Sequence, residues 1–269
     1  MKVTEKGPGK AEVAVVYCTH GDEVAGKKAV EKLLDEKPDF RKGVKFVFAN
    51  EKAYEQGERF IDTDLNRSFP GDSESDSYEE RLAAEMMQEL QEPKVLDLHE
   101  TRSAPTPFAL FTWMDEETMD TLQSTGVDKA VEISYTPGCG INHYGGVEVE
   151  TGPRGSQESA EMAYQVLKDF LINEGVLAGE ANKSRPEIFS VYDVEDRPEG
   201  DWNAAVENFQ EVSKGETVAK SGSEEILADK SFVPVLFAES YPDIFGFKAV
   251  RLEKVEERIY QQEVIKNGN

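Results

Sequence analysis

Two of the three histidines in this sequence stand where they could hold a metal ion. His20 follows a run of β-branched residues, and Glu23 comes three residues later. His99 follows a second apolar run, VLDL. Two imidazoles and a carboxylate form a ligand set that zinc accepts, with a fourth position left for water. The pattern therefore predicts a metal site at these three residues. The alternative is a surface glutamate beside two histidines that end strands.

A second group of charged residues lies between Arg59 and Arg67, in the segment RFIDTDLNR. The Asn66-Arg67 pair is suited to binding a carboxylate, because a guanidinium group binds carboxylates through two parallel hydrogen bonds. Asp64, just upstream, can orient an imidazole that holds a metal. Arg59 adds another positive charge to the same segment. We therefore expect this loop to bind an anionic group beside the metal site.

Strands and helices that alternate along the first half of the chain must position these residues. Strands are predicted at 12–17, 44–49, 94–98, 108–112 and 147–150, and helices at 22–37, 77–91 and 159–173. Ser77 and Glu80 form a capping-box pattern at the start of the second helix. This order predicts an α/β fold, a mostly parallel mixed sheet with flanking helices. Because His20 and His99 follow predicted strands, we expect them at the carboxyl edge of the sheet, where such folds bind ligands.

The sequence changes in character after about residue 177. Residues 178–186 are polar and poor in helix formers, and short strand-like runs separated by Gly, Ser and Asp follow them. We therefore predict two domains. The first, at 1–180, carries the site, and a smaller β-rich C-terminal domain at 181–269 caps it.

The composition excludes several classes of partner. With 54 acidic against 30 basic residues the net charge is −24, which argues against binding nucleic acid. The sequence contains no run of 18 apolar residues, so no membrane span is predicted. The acidity has two open interpretations, a solvated soluble surface or an adaptation to high salt, where ions screen the repulsion. Cys18 and Cys139 are too few for a disulfide scaffold and indicate a reducing, cytoplasmic compartment.

Four motifs follow one another along the chain: His20-x-x-Glu23, RFIDTDLNR at 59–67, Asp97-Leu-His99 and Glu150-Thr-Gly-Pro153. Together they resemble the succinylglutamate desuccinylase/aspartoacylase family, which belongs to the zinc-carboxypeptidase-like hydrolases. The resemblance covers about residues 11–175. It implies a zinc-carboxypeptidase-like fold, with 1–180 as the zinc-hydrolase catalytic domain. It further implies one Zn²⁺ per chain and a small N-acyl amino acid as partner; a homo-oligomer is possible.

The resemblance also implies roles for individual residues. His20, Glu23 and His99 resemble the zinc ligands of the family, and Asp64 resembles the carboxylate that hydrogen-bonds one of the ligating histidines.

Further matching positions resemble the family's catalytic and substrate-binding residues. Arg59 resembles the arginine that polarises the scissile carbonyl, and Asn66 and Arg67 resemble the pair that holds the substrate's α-carboxylate. Glu150 resembles the general base. Tyr241 is expected to reach into the site from the C-terminal strands and to contact the substrate.

Glu148 and Glu150 share one face of the predicted strand, because side chains alternate along it. A carboxylate beside a metal-activated water can accept its proton and later deliver it to a leaving amine. That chemistry fits the role that the resemblance gives to Glu150. Glu148 is interpreted as a solvated strand residue.

The chain departs from the aspartoacylase pattern at one position. Aspartoacylases carry an arginine about ten residues before the general base, which binds the aspartate side chain, and this chain has Gly140 there. The difference argues against N-acetylaspartate as substrate and leaves Arg102 and Arg154 as candidate replacements.

The implied function is zinc-dependent hydrolysis of the amide bond of an N-acyl amino acid by metal-activated water. Two alternatives stay open. One is a zinc carboxypeptidase that acts on peptides, and the other is a non-catalytic metal- or ligand-binding protein on the same scaffold.

Overall fold

The computed structural model describes residues 1–101, 107–134, 140–238, 241 and 243–253. The strands are β1 (Lys2–Lys6), β2 (Ala11–Tyr17), β3 (Gly43–Phe48), β4 (Lys94–Thr101), β5 (Phe108–Phe111), β6 (Lys129–Glu132), β7 (Val147–Pro153), β8 (Glu187–Asp196), β9 (Asn203–Ala204), β10 (Thr217–Ser221), β11 (Glu224–Leu227), β12 (Val233–Val235) and β13 (Ile244–Arg251). The α-helices are α1 (Ala25–Asp35), α2 (Glu51–Gln56), α3 (Tyr78–Leu90), α4 (Glu116–Ser124), α5 (Ile141–Tyr144) and α6 (Gln157–Asn173).

Among the described residues, ten strands form one mixed sheet in the order β1-β3-β2-β4-β7-β5-β6-β8-β13-β12. The pairs β2–β3, β2–β4, β4–β7, β5–β6 and β6–β8 are parallel, and the pairs β1–β3, β5–β7, β8–β13 and β12–β13 are antiparallel. Strands β9, β10 and β11 form a small antiparallel sheet near the C-terminal end. The predicted fold class, a mostly parallel mixed sheet with flanking helices and a smaller β-rich part, is confirmed.

Apolar residues cover the central strands on both faces, as parallel sheets require. One face packs against α1 and α6, and the other packs against α3. Gly26 allows α1 to come close to the sheet, because a Cβ there would lie 2.8 Å from the Cβ of Tyr17 and 3.0 Å from that of Leu98. This close packing fixes the β2–α1 connection, which carries the first metal-site motif.

Three local predictions need correction. Helix α1 begins at Ala25 rather than at residue 22, because Glu23 turns back and its amide donates to the carbonyl of His20. Strand β4 continues to Thr101, so His99 lies inside the strand and not at its end. Helix α3 begins after Ser77, but the Ser77 side chain makes no capping hydrogen bond.

The strands after residue 180 divide between the two sheets. Strand β8 pairs with β6 in parallel, and β13 and β12 follow it, so they extend the main sheet. Strands β9–β11 form the small sheet. The division into domains at 1–180 and 181–269 stays a prediction, and the hydrogen-bonded main sheet runs across that boundary. No helix in the described ranges is both long and apolar enough to span a membrane.

Candidate active site

The carboxyl ends of three neighbouring parallel strands bring the predicted site residues together. The connection after β2 carries His20 and Glu23, β4 carries His99, and β7 carries Glu150 directly beside His99 in register. Gly21 is required in the connection after β2, because a Cβ there would lie 2.3 Å from the backbone of Ala53. The site thus lies at the sheet edge where α/β folds bind ligands.

His20, Glu23 and His99 are buried, and each offers a ligand atom within 4.8 Å of the others. Nδ1 of His20 lies 2.9 Å from Oε1 of Glu23, and Nδ1 of His99 lies 3.1 Å from Oε2. His20 Nδ1 nevertheless finds no hydrogen-bond partner among the described residues. A buried nitrogen without a hydrogen bond, aimed at a shared carboxylate, suits a zinc ligand, and the donor set is one that zinc accepts.

Asp64 orients His20 from its other ring nitrogen. Asp64 Oδ1 lies 3.1 Å from Nε2 of His20, which leaves Nδ1 for the ligand group. The same carboxylate accepts from Arg59 Nη2 at 3.2 Å and from the Asn66 amide at 2.9 Å. Burial raises the pKa of Asp64, but the hydrogen bond and charge of His20, together with the charge of Arg59, lower it well below its ordinary value. Asp64 therefore stays ionised and holds the imidazole in place.

Asp97 and Glu148 form a second acidic group, next to the other ring nitrogen of His99. Nε2 of His99 lies 3.2 Å from Oδ2 of Asp97 and 3.7 Å from Oε2 of Glu148, so these three residues could also contact a cation. Asp97, however, accepts hydrogen bonds from the hydroxyls of Thr19 and Tyr144. Glu23 is engaged as well, by Nη1 of Arg59 at 2.9 Å and by the Glu100 backbone amide at 3.1 Å, so the choice of His20, Glu23 and His99 as the metal ligands stays a prediction.

The interpretation of Glu148 as a solvated strand residue is wrong. It is only 4% exposed, and its Oε2 accepts from Nδ2 of Asn66 at 3.3 Å. The alternation along β7 had placed it on the same face as Glu150, and that face lines the site. Sequence reasoning had no signal for Asp97 as a partner of Glu148, because the two meet only when β4 and β7 pair.

Glu150 is a buried carboxylate whose Oε2 has no hydrogen-bond partner among the described residues. Burial, then the negative charges of Glu23 and Glu148, raise the pKa of Glu150 to about 8. A cation in the ligand group would offset part of this shift. A carboxylate that exchanges its proton near neutral pH is suited to general acid–base chemistry.

The loop of Asp64, Asn66 and Arg67 is a short 3-10 helix, Leu65–Arg67, capped by the Asp64 side chain. The Asn66 side chain is fixed at both ends, because Oδ1 accepts from the Gly140 amide at 3.3 Å while Nδ2 donates to Glu148. Arg67 Nη1 donates to the Asn66 carbonyl at 2.7 Å. These contacts present an amide and a guanidinium group on one side of the site.

Glu79 of α3 holds the backbone just before this loop, and sequence reasoning missed it. The side chain is fully buried, and its two oxygens accept from the amides of Ile61, Asp62 and Thr63 at 2.7, 2.9 and 3.2 Å. Asn50 Nδ2 adds a fourth hydrogen bond at 3.1 Å. A glutamate in the first turn of a helix is common, so no sequence signal separates it from its neighbour Glu80.

The predicted site residues, unlike Glu79 and Asp97, open on one cavity of about 470 Å³. The predicted site residues that line it are His20, Glu23, Arg59, Asp64, Asn66, Arg67, His99, Glu150 and Tyr241. Burial, with the negative charge of Glu150, raises the pKa of Tyr241 to about 12. The tyrosine therefore enters from the C-terminal strands as a protonated hydroxyl, and its contact with substrate stays a prediction.

Arg154 and Arg102 are the two candidates to replace the arginine that aspartoacylases carry where this chain has Gly140, and the structure describes only the first of them. Arg154 lines the cavity, but its Nη1 is paired with Oδ2 of Asp22. Arg102 lies outside the described residues, as does Cys139.

Comparison with known proteins identifies the family. The model of the succinylglutamate desuccinylase/aspartoacylase catalytic domain matches residues 10–150, more than half of the chain. The chain therefore belongs to this family, as its four motifs indicated.

Two relatives and one solved structure define the range of similarity. The N-acyl-aromatic-L-amino acid amidohydrolase (carboxylate-forming) of Xenopus laevis is 38% identical over 111 residues, 36% of this chain and 36% of that protein. The match thus spans little more than a third of that relative. The succinylglutamate desuccinylase of Idiomarina loihiensis is 23% identical over 88% of this chain and 81% of its own length. The succinylglutamate desuccinylase/aspartoacylase structure from Rhodobacter sphaeroides shares the fold, with a TM-score of 0.73 at 20% identity over 93% of this chain and 87% of that one.

The ligand group predicts that the purified protein binds about one zinc ion per chain. We expect His20→Ala and His99→Ala to lose the ion, because each removes one of three ligands. His143→Ala is the matched control, since His143 stacks on Phe69 outside the ligand group. Elemental analysis after dialysis measures the outcome, and full occupancy in both ligand variants would contradict the assignment.

We expect Glu79→Gln to lower the free energy of unfolding by about 1–3 kcal/mol, because an amide nitrogen replaces a buried oxygen that accepts from backbone amides. Chemical denaturation measures the free energy of unfolding. Glu80→Gln is the control one residue along the same helix, where the carboxylate contacts the Ser75 hydroxyl. Equal stability of the two variants would show that Glu79 does not hold the loop.

Proposed function

We propose that this chain is a metal-dependent deacylase that hydrolyses the amide bond of an N-acyl amino acid. One observation carries the proposal: a single cavity joins a zinc-type ligand group, the unpartnered buried carboxylate of Glu150 and a loop with two arginines. Hydrolysis of an amide needs an activated water, stabilisation of a developing oxyanion and a proton for the leaving amine. The cavity holds a candidate residue for each of these needs.

His20, Glu23 and His99 would hold the metal. When bound there, zinc supplies a Lewis acid that polarises a carbonyl oxygen and makes a water molecule more acidic. Asp64 keeps the ring of His20 in its ligating orientation through the 3.1 Å contact with Nε2. Zinc as the native metal, a cytoplasmic location and a homo-oligomeric state stay predictions.

Glu150 is the proposed general base and acid. Its free Oε2 takes the proton of the attacking water and then delivers it to the nitrogen of the departing amino acid. The raised pKa of Glu150 matches this double role, because the same carboxyl group must bind and release a proton within one turnover. Surrounding carboxylates and burial therefore prepare the group for its task.

Arg59 and the Asn66–Arg67 pair are proposed to bind different negatively charged groups of the substrate. Arg59 lies against the ligand group, with Nη1 2.9 Å from Glu23 Oε1, where its charge can stabilise an oxyanion on the scissile carbonyl. Asn66 and Arg67 lie on the adjoining loop and are proposed to bind the α-carboxylate of the amino-acid half. Tyr241 can add a hydroxyl donor from the C-terminal side.

Glu150→Ala should keep metal content and fold but lose about 10²–10⁴-fold in turnover, the usual contribution of a positioned proton-transfer group. Glu180→Ala, an exposed glutamate outside the cavity, is the control. Kinetics are measured on both variants after metal analysis. A loss of less than tenfold would assign the base to another residue.

The proposed carboxylate contact predicts that N-acyl amino acids are better substrates than their α-amides. Loss of a bidentate charged contact is worth about 1.5–3 kcal/mol, so kcat/KM should fall about 10- to 150-fold. In Arg67→Ala the acid and the amide should react almost alike, whereas Arg251→Ala, on the edge of β13, should keep the difference.

Peptides of several lengths complete this panel, because they test the alternatives. Efficient trimming of long peptides would replace the proposal with a carboxypeptidase. No turnover of any member by metal-loaded protein would favour a binding protein. Both results would overturn the deacylase.

A further inference from the structure

One wall of the cavity that holds the catalytic residues is apolar. Its residues are Leu110, Ile133, Leu236, Ile244 and Phe247, which we call the apolar wall. We infer that the acyl half of the substrate is an apolar chain or ring longer than acetyl, and that it lies on this wall. The inference rests on the proposed deacylase function and names its substrate class.

The apolar wall is part of the protein's core and therefore a built surface. Leu110 of β5, Ile133 just after β6 and Leu236 are at least nine-tenths buried, and all three belong to one hydrophobic cluster. Phe247 of β13 packs against the same cluster. Because packed core side chains stay in fixed positions, the wall offers an acyl group a preformed apolar surface.

The order of the strands places the apolar wall next to the metal ligands and Glu150. The arginine loop packs through Leu65 and Phe69 onto the cluster of β2, β3 and α3. The metal ligands and Glu150 lie on β4 and β7 or just after β2, and β5, β6 and β13 follow on the far side. The inference places the carboxylate of the substrate on Arg67, its amide beside Glu150 and its acyl group on the wall.

The wall begins immediately beside the catalytic residues. Leu110 pairs with Glu148 across β5 and β7, so their side chains share one face of the sheet. Neighbouring strands lie about 4.8 Å apart, so the end of β6 with Ile133 is about 10 Å from β7. That span exceeds an acetyl group and accommodates a chain of several methylenes.

Charge disfavours an acidic acyl group on this wall. The arginines among the described lining residues are Arg59 and Arg67, on the loop side, and Arg154, which is paired with Asp22. Of the described lining residues, none on the apolar wall is positively charged, so the terminal carboxylate of a succinyl group would lie near Glu148 without a cation from this wall. Because burying an unpaired carboxylate is strongly unfavourable, succinyl substrates should react poorly.

The test keeps one amino acid and varies the acyl group through acetyl, butanoyl, hexanoyl, phenylacetyl and succinyl. Each buried methylene should raise kcat/KM about threefold to fourfold, so hexanoyl should exceed acetyl by about two orders of magnitude. Succinyl should be at least tenfold poorer than butanoyl. A best substrate with an acetyl or succinyl group would overturn the inference while leaving the deacylase intact.

Two variants locate the effect. Phe247 is partly exposed, so Phe247→Ala should reduce the ratio of hexanoyl to acetyl turnover several-fold. Phe247→Arg should raise relative activity on succinyl by supplying a cation. Leu227→Ala, an apolar residue 54% exposed on β11 and outside the lining, is the control and should change neither ratio. An unchanged hexanoyl-to-acetyl ratio in Phe247→Ala would remove the wall from the subsite.

A binding measurement separates failure of the inference from failure of the proposed function. Calorimetry with acetate, hexanoate and succinate needs no turnover. Tighter binding of hexanoate, reduced in Phe247→Ala, would support the apolar subsite even if no amide were hydrolysed. Equal or weaker binding of hexanoate than of succinate would contradict the subsite, whatever the panel shows.

Discussion

Four buried carboxylates gathered at one edge of the sheet set the conditions for the rest of the site. They belong to Glu23, Asp97, Glu148 and Glu150. Buried negative charges are unfavourable unless positive groups or hydrogen-bond donors compensate them. The chain meets this constraint with two imidazoles, the Arg59 guanidinium group and neutral donors from Thr19, Tyr144 and Asn66. A divalent cation is the natural complement of such a group, which links the electrostatics of the site to its proposed chemistry.

The parts of the site that sequence could predict depend on local patterns. A β-branched run marks β2 as a buried parallel strand, and the rule that ligands bind at the carboxyl edge then places His20 there. Alternation along β7 correctly placed Glu148 on the face of Glu150. The motif of Arg59 and Asp64 could be assigned as a unit because both residues lie on one loop. The structure brings all these residues to one cavity.

Other features could not be predicted, because they depend on partners distant in sequence. The face of Glu148 is buried where the distant loop of Asn66 reaches it, and the alternation along β7 carries no such information. Glu79 matters because three backbone amides of another segment turn toward it. Ser77 fits a capping box in sequence, yet its hydroxyl makes no such bond. The pairing of β8 with β6 joins residues almost 60 positions apart, so the short C-terminal strands gave no sign that they extend the main sheet.

Strand β13 comes late in the chain, so part of the apolar wall is encoded far from the catalytic residues. The ligating and proton-transferring side chains are all encoded before residue 151, whereas Leu236, Ile244 and Phe247 come from the last strands. During synthesis, the groups that would break the bond are therefore made well before these three residues complete the surface that begins with Leu110 and Ile133. The same order allows substitutions near the C-terminal end to alter which molecules are accepted while the ligating residues keep their places.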